Sequence, residues 1–347
     1  MKDLKYLAAL TIPISAIISI YFKGYWSFFT PLYAFGIIPI LEILLSKNSS
    51  NYSEEELENK KANPLFDWML YLNLPMVFGI LFWALMVVSS QSLENFEIIG
   101  LVLSVGIVLG VNGINVAHEL GHRLASKERF LGKLLLLPSL YMHFFIEHNF
   151  GHHLYAATKE DPATARYNQS VYSFWVTSVF RQYISAWKIQ KNLLKNNNKN
   201  FLSIKNDMFW YVIFQIAYLV LIFFLFGKIG LFFSLSVAIT AFLLLETVNY
   251  IEHYGLLRVK TESGRYERIK EIHSWNSNHV VGRIVLYELT RHSDHHYKSS
   301  KKYQLLECYD ESPEMPFGYP TSMVISFLPP LWFSIMNKRI PREMIAN

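Results

Sequence analysis

Six stretches of the chain are long, apolar and nearly free of charge: Leu4–Phe22, Trp26–Leu45, Asp67–Ser89, Phe96–Val116, Phe209–Phe226 and Leu231–Tyr250. Each approaches the roughly 20 apolar residues that an α-helix needs to cross a bilayer core. A large soluble helical core is the competing explanation. Six separate runs of this length instead predict an all-α integral-membrane bundle with six transmembrane helices. Two long polar segments, 117–207 and 251–347, then predict a helical cap on one side. A shorter stretch, Ser46–Asn63, is rich in Ser, Asn, Lys and Glu and reads as a solvated connection without chemistry. No internal repeat is visible, so residues 1–347 are expected to form a single membrane-embedded domain.

Charge orients this pattern. If the N-terminus lies inside, the outer turns fall near Lys23, Ser90–Asn95 and Gly227–Gly230. They then hold only Lys23 and Lys228 of the 32 Lys and Arg residues. By the positive-inside rule, both termini and the cap belong to the cytoplasmic side. The first run follows Met1-Lys2-Asp3-Leu4-Lys5 without a small-residue cleavage site, so it is expected to be a retained helix. Composition agrees: 52% of residues are hydrophobic and 17% charged, against about 25% charged in an average soluble domain. The single cysteine, Cys308, excludes an internal disulfide framework, a four-cysteine zinc site and a fused iron–sulfur electron carrier.

The chemistry lies in the histidines, all of which fall outside the middles of the apolar runs. Four clusters stand out: His118-Glu119-Leu120-Gly121-His122, Glu147-His148-Asn149-Phe150-Gly151-His152-His153, Glu252-His253, and His292-Ser293-Asp294-His295-His296. In an α-helix, residues four apart share a face. This spacing predicts that His118 with His122, His148 with His152, and His292 with His296 each aim two imidazoles at one ion. His153 and one of the His295/His296 pair would reach a second. Alone, His118-Glu119-x-x-His122 also fits a zinc intramembrane protease, with Glu119 as base. A catalytic zinc takes three protein ligands, and nine histidines in four clusters better suit two ions with four or five donors each. Donor type alone does not choose the metal, since imidazole serves Zn, Cu, Fe and Ni. A nitrogen-rich shell suits oxygen chemistry and favours iron. A metal transporter would place polar ligands deep within its spans, which this chain does not.

At these residues the chain resembles the membrane-bound alkane 1-monooxygenases, within the histidine-rich membrane hydroxylases and desaturases. The likeness runs from about residue 64 to 335. It includes His118–Arg123, His143 through His153, Asp161-Pro162-Ala163-Thr164-Ala165-Arg166, Asn249-Tyr250-Ile251-Glu252-His253-Tyr254-Gly255-Leu256, His273 through His279, and Leu289–His296. Thr290, where relatives often have Gln, and Glu42, where many have Asp, depart from the pattern without touching a ligand. The resemblance implies two non-haem irons on His118, His122, His148, His152, His153, His253, His292, His295 and His296. It implies terminal hydroxylation of linear alkanes by O₂, with electrons from a rubredoxin-type carrier and its reductase, in a bacterial inner membrane. A fatty-acyl desaturase or aromatic-methyl hydroxylase is the alternative within this chemistry.

Further expectations attach to single residues. Asp161 and Asp294 are expected to orient ligand histidines, with Glu119 and Glu252 also beside the site. Glu246, a costly charge inside a span, is expected to face it. His143, His273 and His279 are expected to serve as structural hydrogen-bonding groups. Ala34 and Gly36 read as ordinary helix-packing residues, although bulk at either would obstruct a hydrocarbon channel. Lys298, Lys301 and Lys302 could steer an acidic electron carrier, or simply follow the charge rule.

Overall fold

The computed structural model describes residues 2–345. These are helical, with isolated bridges such as Lys47 to His279 but no strand among the described residues. Five helices are long and apolar enough to cross a membrane: Asp3–Phe22, Gly24–Leu44, Leu65–Ser90, Asn95–Gly121 and Asp207–His253.

The fifth absorbs the last two expected spans. Straight, its 47 residues would reach about 70 Å, over twice the bilayer core. It does not run straight. Gly227 has φ 64° and ψ −163°, a conformation open to glycine and strained for other residues. On either side the chain doubles back. Gln215 accepts the Met142 backbone N–H (3.2 Å), while Phe242 stacks on neighbouring Tyr141 at 5.1 Å between centroids. The limbs 207–226 and 228–253 therefore lie side by side.

The turns at one end of the bundle also meet, with Lys23 Nζ donating to Gln91 Oε1 (2.7 Å) and the Gly24 N–H to Glu97 Oε1 (2.6 Å). The opposite end is polar and densely tied. Tyr6 donates to Glu288 (2.7 Å), which also pairs with Arg283 (2.7 Å). Glu42, on the second helix, accepts the Gly282 N–H (3.2 Å).

The segment expected to be a solvated connection is more ordered than its composition suggests. Glu54–Ala62 is a helix begun by a reciprocal cap, in which Ser53 Oγ accepts from the Glu56 N–H and Glu56 accepts from the Ser53 N–H. Lys60 from this helix is buried and paired with Asp3. A longer amphipathic helix, Val171–Asn196, crosses the polar end. It reaches both limbs of the hairpin, Trp175 donating to Thr247 (3.0 Å) and Trp187 packing on Phe209 (5.5 Å).

Candidate metal centre

The polar end gathers all nine predicted ligands. His118 lies in the last turn of the fourth apolar helix and His122 caps it. His253 ends the fifth. His292, His295 and His296 share the short helix His292–Tyr297. His118, His122, His148, His153 and His295 form one group, and His152, His253, His292 and His296 another. Within each group the donor atoms lie within 4.8 Å of one another.

One pairing expected from helical spacing is corrected. His148 and His152 fall into different groups because His148–His152 is a π-helical turn, in which the His153 N–H reaches the His148 carbonyl. Pairing five residues apart puts His148 beside His153, with 3.0 Å between their Nε2 atoms. His152 turns to the other group, its Nε2 3.2 Å from that of His296. Gly151 permits the tight turn. A Cβ there would stand 2.7 Å from Ile189 Cδ1 and 2.9 Å from Glu147 Oε1.

The nitrogen geometry fits a cation. His122, His148 and His153 bring three Nε2 atoms together at 3.0, 3.2 and 3.0 Å. Each ring nitrogen carries either a proton or a lone pair. Three mutual contacts cannot all join a donor to an acceptor, so hydrogen bonding alone leaves one contact repulsive. With metal–nitrogen bonds of about 2.1 Å, adjacent donors around one ion would stand about 3 Å apart. Nε2 of His118 and His295 is buried without a hydrogen-bond partner among the described residues. Burial favours the neutral, ligating form. It pushes His122 down to about 3, reinforced by His152, and holds His148, His153, His292, His295 and His296 well below the usual histidine range.

The carboxylates divide. Asp161 Oδ2 stands 2.9 Å from His152 Nδ1 and accepts from Thr164 Oγ1 at 2.6 Å. Burial would raise this carboxyl, but His152 and Thr164 outweigh it and lower it. Glu252 Oε2 lies 3.3 Å from His292 Nε2. The other expected neighbours are engaged elsewhere. Asp294 projects from the His292–Tyr297 helix toward Lys301 (2.7 Å), Tyr309 (2.9 Å) and the Glu307 N–H (2.7 Å). Glu119 pairs with Arg123 (2.9 Å) and accepts the Tyr303 N–H (3.1 Å). Glu246 does not face the histidines: Tyr141 (2.9 Å), Ser178 (2.6 Å) and Gln182 (2.8 Å) occupy its oxygens. These donors explain how a carboxyl is accommodated within an apolar helix.

The remaining histidines stay outside both groups. His143 packs between Tyr141 and Tyr183, His273 Nδ1 accepts the Lys270 N–H (2.9 Å), and His279 contacts Ser277 (2.9 Å). Lys301 and Lys302 are tied to Asp294 and Asp67 (2.8 Å), which leaves Lys298 as the exposed member of that basic trio. An apolar cavity leads from Ile12, Ala34 and Ile38 to His118, His148 and His292, with Asn249 and Glu252 as polar groups on its wall. Ala34 is thus part of a channel wall and more than a packing residue, whereas Gly36 is absent from the lining. Sequence reasoning missed Thr164 and the part of the wall formed by Leu286 and Met323. Thr164 had a signal, an Asp followed three residues later by Thr. The wall residues have none, because they are ordinary apolar side chains brought in from distant segments.

The fatty acid desaturase family model matches residues 95–321, which contain all nine clustered histidines. Alkane 1-monooxygenase 2 of Alcanivorax borkumensis is 36% identical to this chain, over 98% of it and 91% of the relative. This chain belongs to the alkane 1-monooxygenase family. Alkane 1-monooxygenase 1 of Pseudomonas aeruginosa is 38% identical, over 91% of this chain and 84% of its own length. Likeness extends to the xylene/toluene monooxygenase hydroxylase component XylM of Pseudomonas putida, 28% identical over 97% of this chain and 89% of that protein.

Proposed function

We propose that this protein hydroxylates the terminal carbon of linear alkanes at two iron ions, one held by each histidine group. The observation that carries this reading is an apolar cavity lined by His118 and His148 of one group and His292 of the other. Bound iron would supply dioxygen activation, for a net conversion of R–CH₃, O₂, two electrons and two protons into R–CH₂OH and water.

The chain's own residues prepare that reaction. Aliphatic walls bind an extended hydrocarbon, exclude water and present its end to the histidines. Asp161 Oδ2 keeps a proton on His152 Nδ1, which leaves the Nε2 lone pair free to ligate. Of the polar side chains on the wall, Asn115 and Tyr319 donate to the Leu286 and Trp275 carbonyls, which leaves Asn249 and Glu252 suited to the alcohol product.

In this reading the hairpin limbs count as two of six membrane crossings, both termini and the cap face the cytoplasm, and the membrane is a bacterial inner membrane. Electrons arrive from a separate rubredoxin-type carrier, consistent with a chain whose only cysteine is Cys308.

The test is anaerobic purification with metal counting, followed by turnover of n-alkanes with reduced rubredoxin and mass spectrometry of the products. Two irons per chain and a 1-alkanol are expected. An alkene product would point to a desaturase, oxidation of aromatic methyl groups alone to the XylM-like activity, and one zinc per chain would remove the site.

A further inference from the structure

The amphipathic helix Val171–Asn196 has a feature that the metal centre does not use. Tyr172, Val176, Phe180 and Ile184 form an exposed apolar row at four-residue spacing. Beside it runs a polar row at the same spacing, Ser173, Thr177 and Arg181. This second row forms one wall of a pocket whose other wall includes Thr164 and Arg166. No carboxylate lines the pocket, and neither guanidinium has an ion-pair or hydrogen-bond partner among the described residues. Asn337 donates to Asn168 on the pocket lining (2.7 Å), which brings the basic turn Asn337–Arg339 to the rim.

Position says what covers these rows. The helix touches the hairpin at Phe209 and Thr247, 18 residues before and 20 residues after the Gly227 bend. Both contacts therefore lie at the same level, near the polar ends of the limbs. A helix lying across that level belongs at a membrane–water boundary, where an apolar row meets acyl chains and an adjacent polar row that ends in an arginine meets headgroups. Tyr172 also donates to the Phe327 carbonyl (2.7 Å), which places exposed Leu328 and Leu331 near the same apolar row.

We propose that Arg166 and Arg181 bind the phosphate of an anionic membrane phospholipid, whose acyl chains cover Val176 and Phe180. Two guanidinium forks among neutral hydroxyl and amide groups match a phosphodiester. The pocket also adjoins the metal centre, because Thr164 on its wall donates to Asp161, the partner of His152. This site is independent of the alkane reading.

The test uses the full-length protein in detergent micelles doped with phosphatidylglycerol or phosphatidylcholine. Native mass spectrometry counts retained lipid, and the thermal unfolding midpoint gives a second readout. The wild type should retain phosphatidylglycerol preferentially and unfold at a higher temperature with it. Arg166→Gln/Arg181→Gln should weaken retention roughly 10- to 100-fold, as loss of charge-assisted hydrogen bonds implies. Lys199→Gln, at an exposed loop position, should retain the preference. Equal retention of the two lipids by the wild type overturns the proposal, as does a double variant that keeps the preference. Displacement of the lipid by millimolar inorganic phosphate would assign the pocket to free phosphate and overturn the lipid assignment. If the double variant does not fold, the wild-type lipid comparison and the phosphate competition still decide.

Discussion

The two histidine groups differ in number and in support. The five-membered group draws on the fourth apolar helix, the π turn and His295, and its His122 and His153 are partly exposed. The four-membered group is buried throughout, with Asp161 on His152 and Glu252 beside His292. One group has a donor to spare. The other has fewer donors but carboxylates close to its rings. The groups thus differ in histidine number and in carboxylate support, with Asp161 behind the His152 ring and Glu252 on the donor side of His292, and they should respond differently to the same kind of damage.

The largest expected contrast comes from ligand removal. His296→Ala should leave three histidines in its group and cost more than about 100-fold in activity, beyond the range of an outer-shell change. His153→Ala leaves four in the other group and should retain more metal. Iron content per chain measures both, and equal metal loss would break the comparison.

Next comes the ionic anchor beneath the His292–Tyr297 helix. Burial opposes the Glu288 charge, but Arg283, Lys5 and Arg291 outweigh it and lower the carboxyl from 4.5 to about 2. A depressed carboxylate stabilises the fold fully above its unfolded value, and that stability is lost as pH falls from about 4.5 towards 2. The shift corresponds to about 3 kcal/mol. Glu288→Gln should therefore lower stability at neutral pH and flatten the acid limb of unfolding, followed by circular dichroism. An unchanged acid limb would show that the anchor contributes little.

Asp161→Asn should cost about 10- to 100-fold in metal affinity or activity. Asp294→Asn should cost less in metal, since its partners are Lys301, Tyr309 and a backbone amide. Metal titration of the two variants sharpens the distinction between a carboxylate that supports a ligand and one that only lies next to it in sequence.

The smallest effect belongs to the channel. Ala34→Leu fills part of the cavity wall and should lower kcat/KM for the longest accepted alkane by about 10-fold, while shorter alkanes change less. Gly36→Ala, outside the lining, should leave the chain-length profile in place. Product profiles over an alkane series measure this, and parallel profiles for the two variants would place Ala34 outside the substrate path.

Residue type and spacing singled out the histidine clusters just past the apolar runs, the family resemblance completed the set of nine with His253, and the structure gathers those nine side chains into two groups. The same text announced an apolar bundle, because the hydrophobic effect and the bilayer act on run length and are visible without coordinates. Two runs separated by Gly227 likewise announced the limbs of a hairpin. Spacing failed at His148 and His152, where a π turn replaces the α-helical period and exchanges His152 for His153. Nothing local revealed that Glu246 would be taken by Ser178 and Gln182, or that Asp161 and not Asp294 would meet a histidine. Those outcomes depend on which distant segments share a volume. Which residue can be a ligand is a property of its chemistry and near neighbours, legible along the chain. Which ion it serves, what orients it and what walls the channel arise from packing between remote helices, and only the tertiary structure decides them.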